Sequence, residues 1–323
     1  MPKPNNKLVY WALVALFVMM WSSSFAAAKV AMQVSPPLLF LGLRFSLAGF
    51  LLLGLYLILG GSRPQHLTDW GKLALVGLLN QAGFQGIAWV AMGEVSSGLA
   101  AVIISMNPIF VSFLAVPILG EVMSLRRLIG LLLGLLGVYI VLYSRITVSG
   151  DDIGGVVMMV IALASVVLGV ILFKKWDTGA ALTINVGVQF LSAGVFLLVL
   201  GLFFEDFGDM TFNAHYFGIM AYIIFGVSIG GVALWFYLLS HGSASDASAL
   251  HFLMPPFGLV LGWLALDESV AMGDMIGIVP IAIGIWLATH KSKPGKAQFA
   301  SARKIVHKEE PNQPVRQTNK CLI

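Results

Sequence analysis

The third apolar stretch of the chain carries a row of side chains that could bind a polar solute. Gln81, Gln85 and Trp89 recur at intervals of four residues, so a helix would place them on one face. Polar amides on such a face suit either a hydrated cavity or hydrogen bonds to a neighbouring helix, and the sequence leaves both alternatives open. Trp89 would add a flat apolar wall for an amphipathic solute, and Asn80 lies directly beside the row.

Other stretches contribute further candidate binding residues. Asn107 stands before Pro108, a residue type that removes an intrahelical hydrogen bond and can kink a helix. His251 lies in the related stretch of a later helix. It either binds solute or carries a proton, or it is a neutral histidine bonded to a neighbouring helix. Trp21 and Ser24 are lesser candidates. A serine in an apolar helix can simply allow close packing with a neighbouring helix.

Arg44 is the only strongly charged residue that lies clearly inside an apolar stretch. A charge at the centre of a bilayer costs roughly 2.5–3.5 kcal/mol on insertion scales, so such a residue is a functional candidate by default. It lies about seven residues into its helix, near enough to the end for its head group to snorkel to the interface. We favour a structural anchor over direct contact with a solute.

Several patterns of catalytic and cofactor chemistry are absent from the sequence. The centres of the apolar stretches hold no Asp or Glu, which argues against a buried carboxylate proton relay. The phosphate-binding loop GxxxxGK[ST] and the zinc pattern HExxH do not occur, and the single cysteine, Cys321, excludes a disulfide within the chain. We therefore expect no enzyme, no cofactor and no metal, but reversible binding of a small polar or zwitterionic solute.

Apolar helices in a membrane are needed to position these residues. The chain of 323 residues is 59% hydrophobic and 11% charged, with a mean hydropathy of +0.92, whereas a soluble domain is about 45–50% apolar. A membrane helix needs about 20 apolar residues and a barrel strand only about 10. The sequence therefore predicts an all-α polytopic membrane protein with ten transmembrane helices. The apolar runs are 8–28, 36–59, 71–92, 97–118, 125–143, 153–173, 180–204, 215–239, 244–265 and 270–289.

The distribution of Lys and Arg predicts that both termini are cytoplasmic. If ten helices alternate from a cytoplasmic N-terminus, most of the 19 basic residues fall on the cytoplasmic side, and only Lys29 and Arg145 fall outside. The basic net charge then describes a cytoplasmic face and a disordered tail at 291–323. The expected partner is the lipid bilayer of a cell (inner) membrane, and no nucleic-acid surface is expected.

The chain repeats itself at an offset of about 147 residues. The matches are Pro108 with Pro255, Glu121 with Glu268, Gly130 with Gly277, and Gly137 with Gly284. An offset that carries five helices makes the second copy enter the membrane from the opposite side. Residues 1–147 and 148–290 are therefore predicted to be two inverted five-helix repeats, an architecture of secondary transporters with a site near the midplane.

A stripe of small residues in the fifth run, Gly130, Gly134 and Gly137, predicts a close helix contact. Its partner is either the tenth helix of the other repeat or a second copy of the chain, which leaves a homodimer open.

Four segments resemble the drug/metabolite transporter superfamily, EamA type: Trp21–Ala31, Leu43–Gly49, Met106–Val141 and Met254–Leu287. The resemblance implies ten helices, cytoplasmic termini, and a central cavity lined mainly by helices 1, 3, 4, 6, 8 and 9. It does not specify a substrate.

These observations favour a secondary transporter that exports or facilitates the passage of small metabolites, such as amino acids, by alternating access. A broad exporter of hydrophobic or cationic drugs is the alternative within transport, although an embedded acid would favour cations and none is obvious. A membrane-embedded sensor or lipid-modifying enzyme is the alternative of another class. Such an enzyme should show clustered His, Asp, Glu or Ser residues near one interface, and we find no such cluster.

Overall fold

The computed structural model describes residues 7–120, 124–144, 152–176, 178–232, 234, 257, 260–261, 263–264 and 271–289. In this part of the chain every element is helical, in agreement with the predicted fold class. Within the same residues, six helical stretches are long and apolar enough to cross a membrane. His251, most of the ninth predicted helix and the predicted tail at 291–323 lie outside the described residues.

The helical elements follow the predicted apolar runs. In chain order they are α1 (Lys7–Met32), α2 (Pro37–Leu59), α3 (Leu67–Gly77), π1 (Leu78–Gly86), α4 (Ile87–Ala91), α5 (Ser97–Ile104), α6 (Asn107–Leu119), α7 (Leu125–Ser144), α8 (Ile153–Lys175), α9 (Leu182–Phe204), α10 (Ala214–Ala221), π2 (Tyr222–Gly230) and α11 (Met272–Thr289). The segments π1 and π2 are π-helical. A continuous span consists of α3, π1 and α4, and another contains α5 and α6.

Polar side chains at the helix starts explain why two of these elements begin where they do. Asp152 accepts hydrogen bonds from the backbone N–H groups of Gly154 and Gly155 at 2.5 and 3.4 Å. Asn213 accepts one from the N–H of Tyr216 at 2.9 Å. The first N–H groups of a helix have no partner inside the helix, so an oxygen at this position stabilises the start.

Helices α2 and α9 pack against each other over about four turns. The contacts are Gly42 with Leu198, Gly49 with Leu191, Gly194 with Ser46, and Gly187 with Leu53. As the residue number rises along α2, that of the partner on α9 falls by the same amount, so the helices are antiparallel. A Cβ atom on Gly42 or Gly49 would lie 2.7 Å from the backbone nitrogen of the partner, so glycine is needed for this approach.

Helices α7 and α11 form a second antiparallel pair of the same kind. A Cβ atom on Gly137 would lie 2.6 Å from the carbonyl oxygen of Gly277, and one on Gly284 would lie 2.5 Å from that of Gly130. The glycine stripe of the fifth predicted helix therefore packs on the last helix of the same chain. This confirms the first of its two predicted partners, and the stripe gives no reason to expect a homodimer.

The pair α2 and α9 is also tied by hydrogen bonds at both ends. At one end, the carboxylate of Glu205 accepts from the backbone N–H groups of Leu38 and Leu39 at 2.9 and 2.8 Å. At the other end, the backbone N–H of Ala181 donates to the carbonyl oxygen of Ser62 at 2.8 Å. The residue that follows α9 thus caps the start of α2, and the loop that follows α2 binds the residue before α9.

Candidate functional site

The two π-helical segments are an irregular feature that the described bundle carries twice. Each has nine residues, and their starts lie close to one repeat length apart in the sequence. A π-helical turn is rare, because its wider ring makes poorer hydrogen bonds, and it occurs frequently at functional sites. Since equivalent helices of the two halves are both widened, the backbone points to this region as the candidate site.

Arg44 of α2 connects the two π segments. Its Nε and Nη2 atoms donate to the hydroxyl oxygen of Ser228 in π2 at 3.1 and 3.0 Å. Its Nη1 atom donates to Oε1 of Gln85 in π1 at 2.8 Å. The guanidinium carbon lies 4.6 Å above the ring of Phe45, and the residue is 3% exposed. Arg44 therefore does not snorkel to an interface; its head group joins α2 to both π segments, and whether its role is structural or in binding stays a prediction.

The predicted amide row extends this network along π1. Nε2 of Gln85 donates to Oε1 of Gln81 at 2.9 Å, and both side chains keep part of their accessible surface. Gln85 makes the interhelical hydrogen bond that was one of its two predicted roles. Contact with a solute stays a prediction, and the partial exposure of both amides is compatible with it.

The other two candidates on this span, Trp89 and Asn80, make contacts of a different kind. Trp89 is 4% exposed, and its ring stacks on Phe40 with 5.6 Å between the ring centroids. In this structure it belongs to the apolar core, so its predicted role as a wall for solute stays untested. Asn80 contacts Gly169 on α8, and its Oδ1 atom is buried without a hydrogen-bond partner.

Asn107 lies where the fourth span is interrupted. Helix α5 ends at Ile104 and α6 begins at Asn107, so the span is broken directly before Pro108, where the sequence allows a kink. The Oδ1 atom of Asn107 is buried without a hydrogen-bond partner. An unpaired buried amide oxygen is energetically costly, and contact of Asn107 with a solute stays a prediction.

Trp21 and Ser24 lie on α1, next to the end of π2. The Ser24 hydroxyl donates to the backbone carbonyl of Trp21 at 2.6 Å. The Trp21 ring packs beside Phe17, at 5.4 Å between centroids, and beside Gly231, which follows π2. Both residues are part-buried. The Ser24 hydroxyl is thus hydrogen-bonded within its own helix, and the Trp21 ring is the part of α1 that contacts the end of π2.

A model of the EamA-like transporter family matches the chain twice, over residues 8–143 and again over residues 153–289. The two matches leave only the ends and a short connection uncovered. This chain belongs to the EamA-like transporter family. The resemblance found in the sequence is thereby confirmed, and with its apolar spans the protein is a multi-pass membrane protein of the drug/metabolite transporter type.

Relatives of this EamA-like transporter align along nearly its whole length. The Bacillus subtilis protein named uncharacterized transporter YvbV is 29% identical over 307 residues, which is 92% of this chain and 95% of the relative. The Escherichia coli protein named uncharacterized inner membrane transporter YedA is 26% identical over 287 residues, 87% and 90% of the two chains. A crystal structure with 15% identity superposes with a TM-score of 0.60 over 88% of this chain and 98% of that one, so the fold is shared.

The two halves of this EamA-like transporter differ at the position of Arg44. The sequence offset that aligns Gly42 of the first half with Gly187 of the second also aligns Arg44 with Gln189. Gln189 is 7% exposed, and its Nε2 atom donates to Oδ1 of Asn185 at 2.6 Å within the same helix. The second half therefore has a neutral, locally closed amide pair where the first half has a charge that reaches two other helices.

Ser228 is a functional candidate that our sequence reasoning missed. It is the centre of the order G-x-S-x-G, from Gly226 to Gly230, which in hydrolases forms a sharp turn between a strand and a helix. Here the same letters lie inside π2, and the hydroxyl accepts hydrogen bonds from a guanidinium. The structural context is that of a polar contact in an EamA-like transporter and not of a catalytic nucleophile.

Proposed function

We propose that this protein is a secondary transporter that carries small polar metabolites, such as amino acids, across an inner membrane by alternating access. In this proposal residues 1–147 and 148–290 are two inverted five-helix repeats, ten helices in all, with both termini in the cytoplasm. The name of YedA supports an inner-membrane location. The observation that carries the proposal is the exchange symmetry of the two antiparallel helix pairs.

The exchange can be followed residue by residue in α2 and α9. Gly42 contacts Leu198, and the counterparts of these residues in the other half, Gly187 and Leu53, contact each other. In α7 and α11, replacing each residue by its counterpart in the other half turns the contact of Gly137 with Gly277 into the contact of Gly284 with Gly130. Pairs of this kind arise when two copies are related by a two-fold axis in the plane of the membrane, as in inverted-repeat transporters. Such halves can rock against each other around a central site.

The polar network lies at a depth suited to such a site. Arg44 is seven residues after the first residue of α2, and Ser228 is fourteen after that of α10, which correspond to about 10 and 20 Å along the helix axes. The hydrocarbon core is about 30 Å thick, so both residues lie inside it. Amide, hydroxyl and guanidinium groups at this depth suit reversible binding of a small polar solute.

The alternative within transport is a broad exporter of cationic drugs. A cation would meet the like charge of Arg44, and repulsion between like charges grows as the local dielectric falls. A sensor or lipid-modifying enzyme is the alternative of another class, and family membership supports neither. Transport of a polar metabolite fits the described residues better than these alternatives.

Uptake into proteoliposomes tests the proposal. Purified protein would be assayed with labelled amino acids, nucleobases and cationic dyes, with and without a pH gradient. We expect saturable uptake of a polar metabolite that is strongly reduced in Gln85→Ala and retained in Gln189→Ala, a matched change of a buried amide outside the network. Dependence on the gradient would support His251 as a proton carrier. Failure of all solutes with folded, inserted protein would overturn the proposal.

A further inference from the structure

We propose that Arg44 binds the anionic group of the transported solute, a carboxylate, and that this site makes the transporter selective for carboxylate-bearing metabolites over cations. The inference rests on the proposed transport function and specifies the substrate class of the same site. It follows from the charge of Arg44, from its hydrogen-bond inventory and from the difference between the two halves.

The charge of Arg44 has no counterion among the described residues. Its three hydrogen bonds go to the hydroxyl of Ser228 and the amide oxygen of Gln85, and both of these acceptors are neutral. By contrast, Lys72 on the same bundle has a carboxylate partner, because its Nζ atom lies 2.8 Å from Oδ1 of Asp69. A buried charge held by neutral groups alone carries a large desolvation cost, which an arriving anion would offset.

The guanidinium also has donors left for a ligand. An arginine head group carries five N–H donors, and the observed bonds use one each on Nε, Nη1 and Nη2. The two terminal nitrogens each keep a second N–H. The planar fork of arginine matches the two oxygens of a carboxylate, which makes this pair one of the stronger polar contacts in proteins.

The scaffold does not need a charge at this position. Gln189 occupies the equivalent place in α9, is also buried, and is hydrogen-bonded to Asn185 of its own helix. Close packing of α2 on α9 is therefore compatible with a neutral side chain. The charge on one side only indicates a function in binding, and its contact with both π segments puts that function between the two halves.

The part-exposed side chains of the Arg44 network lie on π1. Gln81 and Gln85 keep accessible surface whereas Arg44 has almost none. Gln85 can release its bond to Arg44 and turn its amide to the solute, so a carboxylate could replace Oε1 of Gln85 on Nη1. The same amide pair then offers N–H donors to the second carboxylate oxygen.

A comparison of acids with their amides tests the site. Proteoliposomes that contain the protein would be loaded with unlabelled amino acid, and the entry of labelled L-amino acid by counterflow would be measured. Each unlabelled amino acid and its C-terminal amide, which is a cation, would then be added outside as competitors. In the wild type we expect the acid to compete at least about tenfold better than the amide, since a charge-assisted hydrogen bond contributes about one factor of ten or more. Arg44→Gln should remove this difference, Arg44→Lys should restore part of it, and Gln189→Leu should leave it unchanged.

A second measurement separates this inference from the transport proposal. Thermal stabilisation of detergent-purified protein by the same acids and amides reports binding without transport. Stabilisation by acids alone, lost in Arg44→Gln, supports the site even if no solute is transported. A wild type that responds equally to acid and amide overturns the site, and this readout holds even if Arg44→Gln does not fold. So does an Arg44→Gln variant that keeps the wild-type KM for acids.

Discussion

The glycine-packed helix pairs and the two π segments preserve the internal repeat in different ways. In α7 and α11, Gly130 and Gly137 match Gly277 and Gly284, and each glycine touches the backbone of the opposite helix. Both copies keep the small residue, because the contact fails if either one is enlarged. In this region the repeat survives in the side chains themselves.

In π1 and π2 the repeat survives in the backbone but not in the side chains. Both segments have nine residues, yet the places of Gln81 and Gln85 in π1 are taken by Phe225 and Ile229 in π2. A solute with different groups at its two ends needs different partners from the two halves. Close packing constrains both copies of the glycine contacts, whereas the side chains of the two π segments have diverged, as the proposed binding of such a solute would require.

Enlarging one glycine of a helix pair should have the largest effect. We expect Gly284→Leu to yield little folded protein, since its Cβ would lie 2.5 Å from the carbonyl oxygen of Gly130, and overpacking against backbone exceeds the usual cost of about 1–3 kcal/mol. Size-exclusion chromatography in detergent checks this. Gly54→Leu is the matched control, because nothing lies within 4 Å of a Cβ there. Folded Gly284→Leu at wild-type yield would contradict the close contact.

Truncating Trp89 should have the next largest effect. Because the ring is buried and stacked on Phe40, we expect Trp89→Ala to lower the free energy of unfolding by about 3–5 kcal/mol, and Trp89→Phe to lower it much less. Phe203→Ala is the control, since that ring is 80% exposed. The measurement is unfolding in mixed micelles of increasing SDS content. A stable Trp89→Ala variant without transport would instead favour the predicted wall for solute.

The Arg44 network should give an intermediate effect that depends on both partners. We expect Gln85→Leu to lower the free energy of unfolding by about 1.5–3 kcal/mol, because it removes an acceptor from a buried charge. The loss should largely disappear in the background of Arg44→Met, as in a double-mutant cycle. Gln189→Leu should not be coupled to Arg44→Met. Additive losses for Arg44 and Gln85 would mean that their hydrogen bond contributes nothing.

The smallest effect is expected at the capped end of α2. Glu205→Ala should lower the free energy of unfolding by about 1 kcal/mol, because two N–H groups lose their acceptor. Glu205→Gln should retain part of this, and Asp209→Ala, at an exposed site in the same loop, should change little. The same SDS titration measures all three variants. Equal stability of Glu205→Ala and wild type would show that water caps this end as well.

The sequence predicts the helices and one of their contacts but not the polar network. Apolar runs and Pro108 act locally, so the helix positions and the interruption of the fourth span follow from short segments. The stripe of Gly130, Gly134 and Gly137 has a readable period, and its partner is found where the repeat places it. The bond between Arg44 and Ser228 joins residues 184 positions apart, and local periodicity carries no information about such a pair.

The π segments and the fate of individual polar side chains were also beyond sequence reasoning. A π-helical turn has no side-chain period of its own, because it depends on how a helix packs. Asn185 and Gln189 have the same spacing as Gln81 and Gln85, yet the first two bond only to each other. The spacing of two amides therefore predicts that they can form a hydrogen bond with each other. It does not predict which of the two pairs will also bind a residue of another helix, as Gln85 binds Arg44.

The ties at both ends of α2 and α9 bear on how the halves can move. Each tie joins a residue of the first half to a residue of the second: Glu205 to Leu38 and Leu39, and Ala181 to Ser62. A helix pair fastened at its two ends and packed glycine to backbone between them cannot slide or part without breaking all of these contacts. In the proposed alternating-access cycle, this helix pair would therefore stay joined while other contacts between the two halves change.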